Sequence, residues 1–119
     1  MNVFINPGHA PNGNPDPGAV NGTTGLRECD VALAVGTLAA KYLIAAGVSV
    51  TNVFQCDDLG EICTQANTSG ADLFISIHCN SYNEPGPSGT ETWACAGSDR
   101  GGKLAGCIQK QIVDTLGTI

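Results

Sequence analysis

Short apolar runs alternate with helix-period segments along this chain, and this alternation restricts the possible folds more than any other feature. "NVFIN" (Asn2 to Asn6) and the β-branched run "VSVTNVF" (Val48 to Phe54) have the character of strands. Between them, residues Glu28 to Ala46 repeat apolar side chains with the period of a helix. A strand, helix, strand unit of this length predicts a right-handed crossover and two parallel strands.

The first predicted helix carries an apolar stripe that we expect to lie against the sheet. Its members recur at steps of four and three residues: Val31, Val35, Leu38, Tyr42 and Ala46. Gly47 is expected to end this helix.

The rest of the chain continues the same alternation. We predict a helix over Leu59 to Thr68, a central strand over Ala71 to His78, an edge or antiparallel strand over Gly89 to Cys95, and a last helix over residues 102–117. The fold class expected from this order is α/β, with three layers and a mixed, mostly parallel twisted sheet flanked by helices. A chain of 119 residues is expected to form one domain.

Composition and charge exclude several classes of partner. The net charge is -6 with only five Lys plus Arg, which argues against nucleic acid and against an anionic membrane surface. The longest apolar stretch, Val31 to Val50, is interrupted by glycines and a lysine, so no membrane span is predicted. The N-terminus "MNVFIN" has neither a basic region nor a cleavage site, so no signal peptide is expected in this chain.

Six cysteines raise the alternative of a disulfide framework. They lie within apolar helix and strand patterns rather than in loops, and no C-x-x-C pair occurs. A domain of this size builds a core without cross-links, so buried free thiols are the preferred interpretation.

A long polar loop joins the first strand to the first helix. Residues 7–27 are rich in Gly, Pro and Asn, so no regular element is expected there, and loops of this length in small domains are usually functional. His9 lies at its start and Glu28 directly after its end. We therefore expect the functional site beside this loop.

Three metal-capable side chains are expected at the carboxyl edge of the parallel sheet, where ligand sites form in such folds. His9 follows the first strand, Glu28 opens the first helix and His78 closes the strand that should neighbour the first. Singly, each has a structural explanation, as a solvated turn histidine, a helix N-terminal acid or a satisfied core histidine. Together, two imidazoles and one carboxylate form a ligand set of hydrolytic zinc enzymes, with a fourth position left for water. We therefore predict one Zn²⁺ ion held by these three residues.

Two separated motifs resemble those of the zinc-dependent N-acetylmuramoyl-L-alanine amidases, which are cell-wall hydrolases. The first block contains "PGH", Asp16-Pro17-Gly18 and Gly25-Leu26-Arg27-Glu28. The second, "ANTSGADLFISIHCNS", is similar to a segment of the same family, and Gly89-Thr90-Glu91 is similar to the G-x-E that follows it. The resemblance extends over residues 3–117.

This resemblance implies that His9, Glu28 and His78 bind zinc and that the substrate is the amide joining N-acetylmuramic acid to L-alanine in peptidoglycan. It also implies a glutamate for proton transfer on a later strand, in a segment that would lie beyond Ile119. The chain would then be the amidase catalytic domain without its C-terminal part, and Glu91 is the weaker candidate within the chain. The alternatives are a non-catalytic, zinc-containing module that binds muropeptide, and, with less support, a zinc peptidase of the carboxypeptidase type.

Three further expectations concern individual residues, and a fourth concerns the edge of the sheet. Asn80 is a candidate substrate contact, with a backbone-capping role as its alternative. Arg27 either binds a stem-peptide carboxylate or pairs with Asp30, and the pairing is preferred. Trp93 is interpreted as a core or edge-covering residue rather than a sugar platform. A sheet without its last strands would expose an unpaired edge and favour self-association.

Action on the cell wall is expected in either of two settings. A protein of this family without a signal peptide would stay cytoplasmic until release, as a phage-type lysin does. The other expectation is a domain excised from a secreted precursor.

Overall fold

Three parallel strands form the sheet on which the first part of the chain is built. The computed structural model describes residues 1–119, and these form two compact units, residues 1–81 and 82–119. The elements are β1 (Asn2–Pro7), α1 (Glu28–Ala45), β2 (Ser49–Val53), α2 (Leu59–Thr68), β3 (Leu73–Ile77) and, in the second unit, α3 (Asp99–Leu116). The strand order is β2-β1-β3, with β1 parallel to both neighbours. The predicted α/β class and the parallel crossover are confirmed.

The face of α1 that packs on the sheet is not the predicted one. Its buried residues are Glu28, Cys29, Ala32, Gly36 and Ala40. Four of the five residues of the predicted stripe are exposed, among them Val35 by 46%, Leu38 by 52% and Tyr42 by 71%. The reason is the close approach of helix and sheet. A Cβ atom on Gly36 would lie 3.0 Å from Cγ of Pro7 and 3.3 Å from Cγ2 of Ile5, so only small side chains fit there. Both stripes have helical period, and side-chain volume decides between them.

The core lies between α1 and β1. Val3, Ile5 and Ala40 form its buried centre, with partly buried apolar residues of β2 and β3 packed around them. On the opposite face of the sheet, Phe4 stacks on Phe74 with ring centroids 5.8 Å apart. The strand at the centre of the sheet is therefore covered on both faces.

One polar side chain of β1 is buried and fully satisfied. The amide nitrogen of Asn6 donates to the carbonyl oxygen of Phe54 at 2.9 Å, and its amide oxygen accepts a hydrogen bond from Ser76 at 2.8 Å. Phe54 directly follows β2 and Ser76 lies in β3, so these two hydrogen bonds hold the carboxyl ends of β2 and β3 on either side of β1.

The strand predicted over Gly89 to Cys95 does not form. Its backbone makes other hydrogen bonds within the second unit: the N–H of Thr90 donates to the carbonyl of Ile119 at 2.7 Å, and the carbonyl of Thr90 accepts from the side-chain amide of Gln109 at 2.6 Å. A segment of alternating apolar and polar residues forms a strand only where a neighbouring strand can hydrogen-bond to its backbone. Here the backbone of Thr90 is hydrogen-bonded to Ile119 and to the side chain of Gln109 instead.

The last helix is confirmed, with a start slightly earlier than predicted. Ser98 caps it by accepting a hydrogen bond from the N–H of Gly101, and Gly117 ends it in the left-handed conformation. None of the helices in the structure is both long and apolar enough to cross a membrane.

The cysteines are free thiols, but most are not buried. Cys29 is buried, whereas Cys63, Cys95 and Cys107 are exposed. The expectation of buried thiols is wrong for these three, because Cys63 and Cys107 lie on solvent-facing sides of their helices and Cys95 lies outside any regular element.

Candidate metal centre

The sheet order brings the predicted ligands to one edge. His9 follows the end of β1 by two residues, His78 follows β3 directly, and Glu28 is the first residue of α1. Because β1 and β3 are parallel neighbours, their carboxyl ends meet there, and the crossover helix begins at the same edge.

The three side chains converge on one another. Nε2 of His9 lies 3.1 Å from Oε2 of Glu28, and Nδ1 of His78 lies 3.0 Å from Oε1 of the same carboxylate. The two imidazole rings are edge to face, with centroids 5.0 Å apart. All three ligand atoms lie within 4.8 Å of one another, so these residues could hold a metal ion.

The carboxylate of Glu28 is the centre of this cluster. Its side chain is only 5% exposed, and its two oxygens accept hydrogen bonds from the backbone N–H groups of Ala19, at 2.9 Å, and Cys79, at 2.8 Å. Burial acts to raise the pKa of Glu28, but these two N–H groups and the two histidines outweigh it, so the pKa lies below its usual range. Glu28 is therefore a fixed buried anion.

Two glycines leave the space that the imidazole rings occupy. A Cβ atom on Gly8 would lie 2.4 to 2.7 Å from three atoms of the His78 ring. A Cβ atom on Gly18 would lie 2.5 Å from Cδ2 of His9 and 2.6 Å from Oε2 of Glu28, and Gly18 also has a φ of +70°. The backbone is thus shaped around the three side chains, as expected for a built site.

His9 itself adopts an unusual backbone conformation, with a φ of 67°. Left-handed conformations are uncommon for residues other than glycine and concentrate at functional sites. The ring is held there by Asp16, whose Oδ2 lies 3.1 Å from Nδ1 of His9 and whose Oδ1 accepts from the N–H of Gly18 at 2.8 Å. The hydrogen bonds from Gly18 and His9 lower the pKa of Asp16.

Gln55 also supports this site, although the sequence analysis did not single it out. The side-chain nitrogen of Gln55 donates to the carbonyl oxygens of Gly8 at 3.1 Å and Cys29 at 2.9 Å. These carbonyls belong to the residues next to His9 and Glu28, so one carboxamide holds together the backbones that carry two of the predicted ligands. No sequence signal marks Gln55, whereas Asp16 lies in the Asp-Pro-Gly step of the first motif.

The remaining candidates lie elsewhere. Asn80 is exposed two residues past His78. The guanidinium of Arg27 donates to both carboxylate oxygens of Asp30, at 2.7 and 2.9 Å, and to the carbonyl of Asn12, so the pairing with Asp30 is the one present.

In the second unit, Oε2 of Glu91 accepts a hydrogen bond from the indole N–H of Trp93 at 3.0 Å. Trp93 is 85% exposed, so its predicted role as a core or edge-covering residue is wrong. The reason is the missing strand: this segment has no hydrogen-bonded strand partner that would fix its side chains on a packed face.

A parallel α/β fold with two imidazoles and a buried carboxylate at the carboxyl edge of its sheet belongs to the class of α/β domains whose sheet edge could hold a metal ion. Comparison with known proteins makes the assignment specific. A family model described as N-acetylmuramoyl-L-alanine amidase matches residues 3–118, and the chain belongs to this family.

Individual relatives agree with the family. The chain is 34% identical over 125 residues to the N-acetylmuramoyl-L-alanine amidase LytC of Bacillus subtilis, covering 98% of this chain and 23% of LytC. Among solved structures, the N-acetylmuramoyl-L-alanine amidase AmiC2 of Nostoc punctiforme matches with a TM-score of 0.83 and 33% identity, over 100% of this chain and 64% of that one. An N-acetylmuramoyl-L-alanine amidase from Clostridium difficile 630 matches with a TM-score of 0.78 and 30% identity, over 95% of this chain and 62% of that one. The chain therefore spans less than two thirds of the length of each of these relatives.

Proposed function

We propose that this chain is a zinc-dependent amidase domain that hydrolyses the bond between N-acetylmuramic acid and L-alanine in peptidoglycan, and so acts on the cell wall. The observation that supports it most directly is the convergence of His9, Glu28 and His78 in a chain whose family is described as N-acetylmuramoyl-L-alanine amidase.

The donor set fits zinc in type, and its ligand atoms are close enough to share one ion. Zinc takes imidazole nitrogen and carboxylate oxygen as ligands. One ligand atom from each of His9, Glu28 and His78 lies within 4.8 Å of the other two, and the two imidazoles lie against different oxygens of the Glu28 carboxylate. Zinc held there would supply Lewis-acid chemistry, the activation of water and the polarisation of an amide carbonyl.

Glu28 and the two histidines contribute different donor groups to this centre. Glu28 supplies a negative charge that its backbone donors keep ionised, and the two histidines supply neutral nitrogen donors. The His78 side chain is 53% exposed and that of His9 is 22% exposed, so the open side of the cluster lies at His78. In this proposal the substrate approaches from that side, and Asn80 is its nearest exposed polar candidate along the chain.

A direct test uses the zinc-loaded protein and purified peptidoglycan. We expect new amino termini at L-alanine, and we expect their release to stop with a chelator or with His78→Ala. Stoichiometric zinc binding without any release would overturn the amidase proposal and favour a non-catalytic muropeptide-binding module. If release is seen, Glu91→Gln tests whether that carboxylate transfers the proton, because such a group typically contributes about 10²- to 10⁴-fold.

Zinc affinity should fall as the pH is lowered below the range in which imidazoles titrate. Zinc competes with protons for imidazole nitrogen, so each histidine that must lose a proton to bind the ion should weaken apparent affinity by up to about tenfold per pH unit as the pH is lowered. Glu28 does not contribute in this window, because its lowered pKa keeps it anionic there. Competition with a chromophoric chelator from about pH 8 to 5 measures this slope. An affinity that stays flat across the range would contradict ligation by histidine.

A further inference from the structure

We propose that Asp16 is a positioning residue that selects which nitrogen of His9 faces the metal centre. This inference rests on the proposed zinc site and adds a residue to it. The carboxylate of Asp16 lies on the Nδ1 side of the His9 ring, and that of Glu28 lies on the Nε2 side.

The Asp16 carboxylate is itself fixed. Its Oδ1 accepts from the N–H of Gly18 at 2.8 Å, and its backbone carbonyl accepts from the N–H of Ala10 at 2.9 Å. Asp16 is therefore bound on one side to the residue after His9 and on the other to the glycine that lies against the His9 ring. Its remaining oxygen, Oδ2, points at Nδ1 of His9.

This geometry has a consequence for the proton on the ring. A neutral imidazole carries its proton on one nitrogen only, and an anionic acceptor at Nδ1 favours the form with the proton there. Nε2 then presents its lone pair to the cluster. The other form would direct an N–H group at the position of the ion and could not ligate it.

His78 provides an internal comparison, because it is held differently. Its Nδ1 faces the Glu28 carboxylate, and the rest of its ring lies against Gly8. Changes at Asp16 should therefore alter the state of His9 and leave that of His78 as it is.

Asp16 also belongs to a second group of possible ligand atoms, with His9 and Asp57. Two members of that group are exposed carboxylates, and both oxygens of Asp16 already accept hydrogen bonds. We assign Asp16 to orientation of the ring and make a second bound ion one of the outcomes that would overturn this assignment.

The first measurement needs no substitution. In zinc-loaded wild-type protein, nitrogen-15 spectra of the imidazoles should show His9 protonated on Nδ1 and His78 protonated on Nε2. A His9 ring protonated on Nε2 would overturn the proposal, as would two zinc ions bound per chain. Failure of the wild-type protein to bind zinc at all would instead refute the proposed function.

Substitutions then test whether Asp16 acts by orienting the His9 ring, by packing against it or by its negative charge. Asp16→Ala should weaken zinc binding by about 10- to 100-fold, the usual effect of removing a partner of a histidine ligand. Asp16→Asn should be no better, because its single oxygen cannot accept from both Gly18 and His9, and an amide nitrogen facing Nδ1 favours the wrong form. A simple packing role predicts the opposite order, with asparagine close to wild type, and that order would overturn the proposal.

The charge control is Asp57→Asn, which removes the same charge from the same neighbourhood without touching the hydrogen bond to Nδ1. It should bind zinc as the wild type does. A loss equal to that of Asp16→Ala would mean that local negative charge, rather than orientation of the ring, explains the effect, and would also overturn the proposal.

Discussion

Glu28→Gln should abolish metal binding and also destabilise the metal-free protein. The amide keeps the shape of the side chain but loses its charge, and its nitrogen must face one of the two backbone donors, Ala19 or Cys79, that the carboxylate now accepts from. A buried donor left without an acceptor costs about 1–3 kcal/mol. Zinc affinity should fall by more than about 100-fold, since even the partners of ligands typically contribute 10- to 100-fold. Urea unfolding and zinc competition measure the two effects separately.

Two further variants show whether these losses of zinc affinity and stability come from the role of Glu28 in the cluster. Glu61→Gln makes the same chemical change in the exposed first turn of α2 and should alter neither quantity. His78→Ala removes a proposed ligand but leaves both backbone hydrogen bonds of Glu28 intact, so it should lose zinc with a smaller loss of stability. Zinc affinity of Glu28→Gln equal to that of Glu61→Gln would refute the role of Glu28 as a ligand.

The stability difference between the wild type and Glu28→Gln should itself depend on pH. Because the folded state lowers the pKa of Glu28, this residue stabilises the protein above the pKa of an unfolded glutamate, and the contribution is lost as the pH falls through the lower, folded value. The two proteins should therefore converge in stability at strongly acidic pH.

Gly18→Ala is the second substitution with a large expected effect. The new methyl group would lie 2.5 Å from Cδ2 of His9 and 2.6 Å from Oε2 of Glu28, so the cluster would have to move. The left-handed backbone adds about 1–2 kcal/mol for a residue with a Cβ, and forced overpacking adds about 1–3 kcal/mol. Both the free energy of unfolding and zinc affinity should fall.

The same loop offers two controls for this prediction. Gly25 has a φ of +74° but no atom within 4 Å of its added Cβ, so Gly25→Ala measures the backbone term alone. Gly22 has open space and no such φ, so Gly22→Ala should be close to neutral. An effect of Gly18→Ala no larger than that of Gly25→Ala would show that the methyl group does not disturb the cluster.

The sequence predicted the path of the chain better than the contacts of its side chains. The parallel arrangement of β1 and β2 follows from a connection long enough for a crossover helix, and β3 lies beside β1 as the crossover rules led us to expect. The prediction of a central strand over Ala71 to His78 is wrong, because β1 takes the centre in the order β2-β1-β3 and β3 lies at an edge. The convergence of His9, Glu28 and His78 follows from the same rules, because strand ends and helix starts share one edge. The strand predicted over Gly89 to Cys95 failed because a strand requires a partner that its own sequence does not contain.

By itself, then, the sequence determined the order of the elements and the edge at which the three metal-capable residues meet, because chain connectivity and handedness constrain both. Only the tertiary structure decided which stripe of α1 is buried, since two apolar stripes share one period and the short distance at Gly36 admits only small side chains. The tertiary structure also brought in Asp16 and Gln55, whose hydrogen bonds depend on distances between loops. Such distances are set by packing, and residue type and spacing along the chain do not specify them.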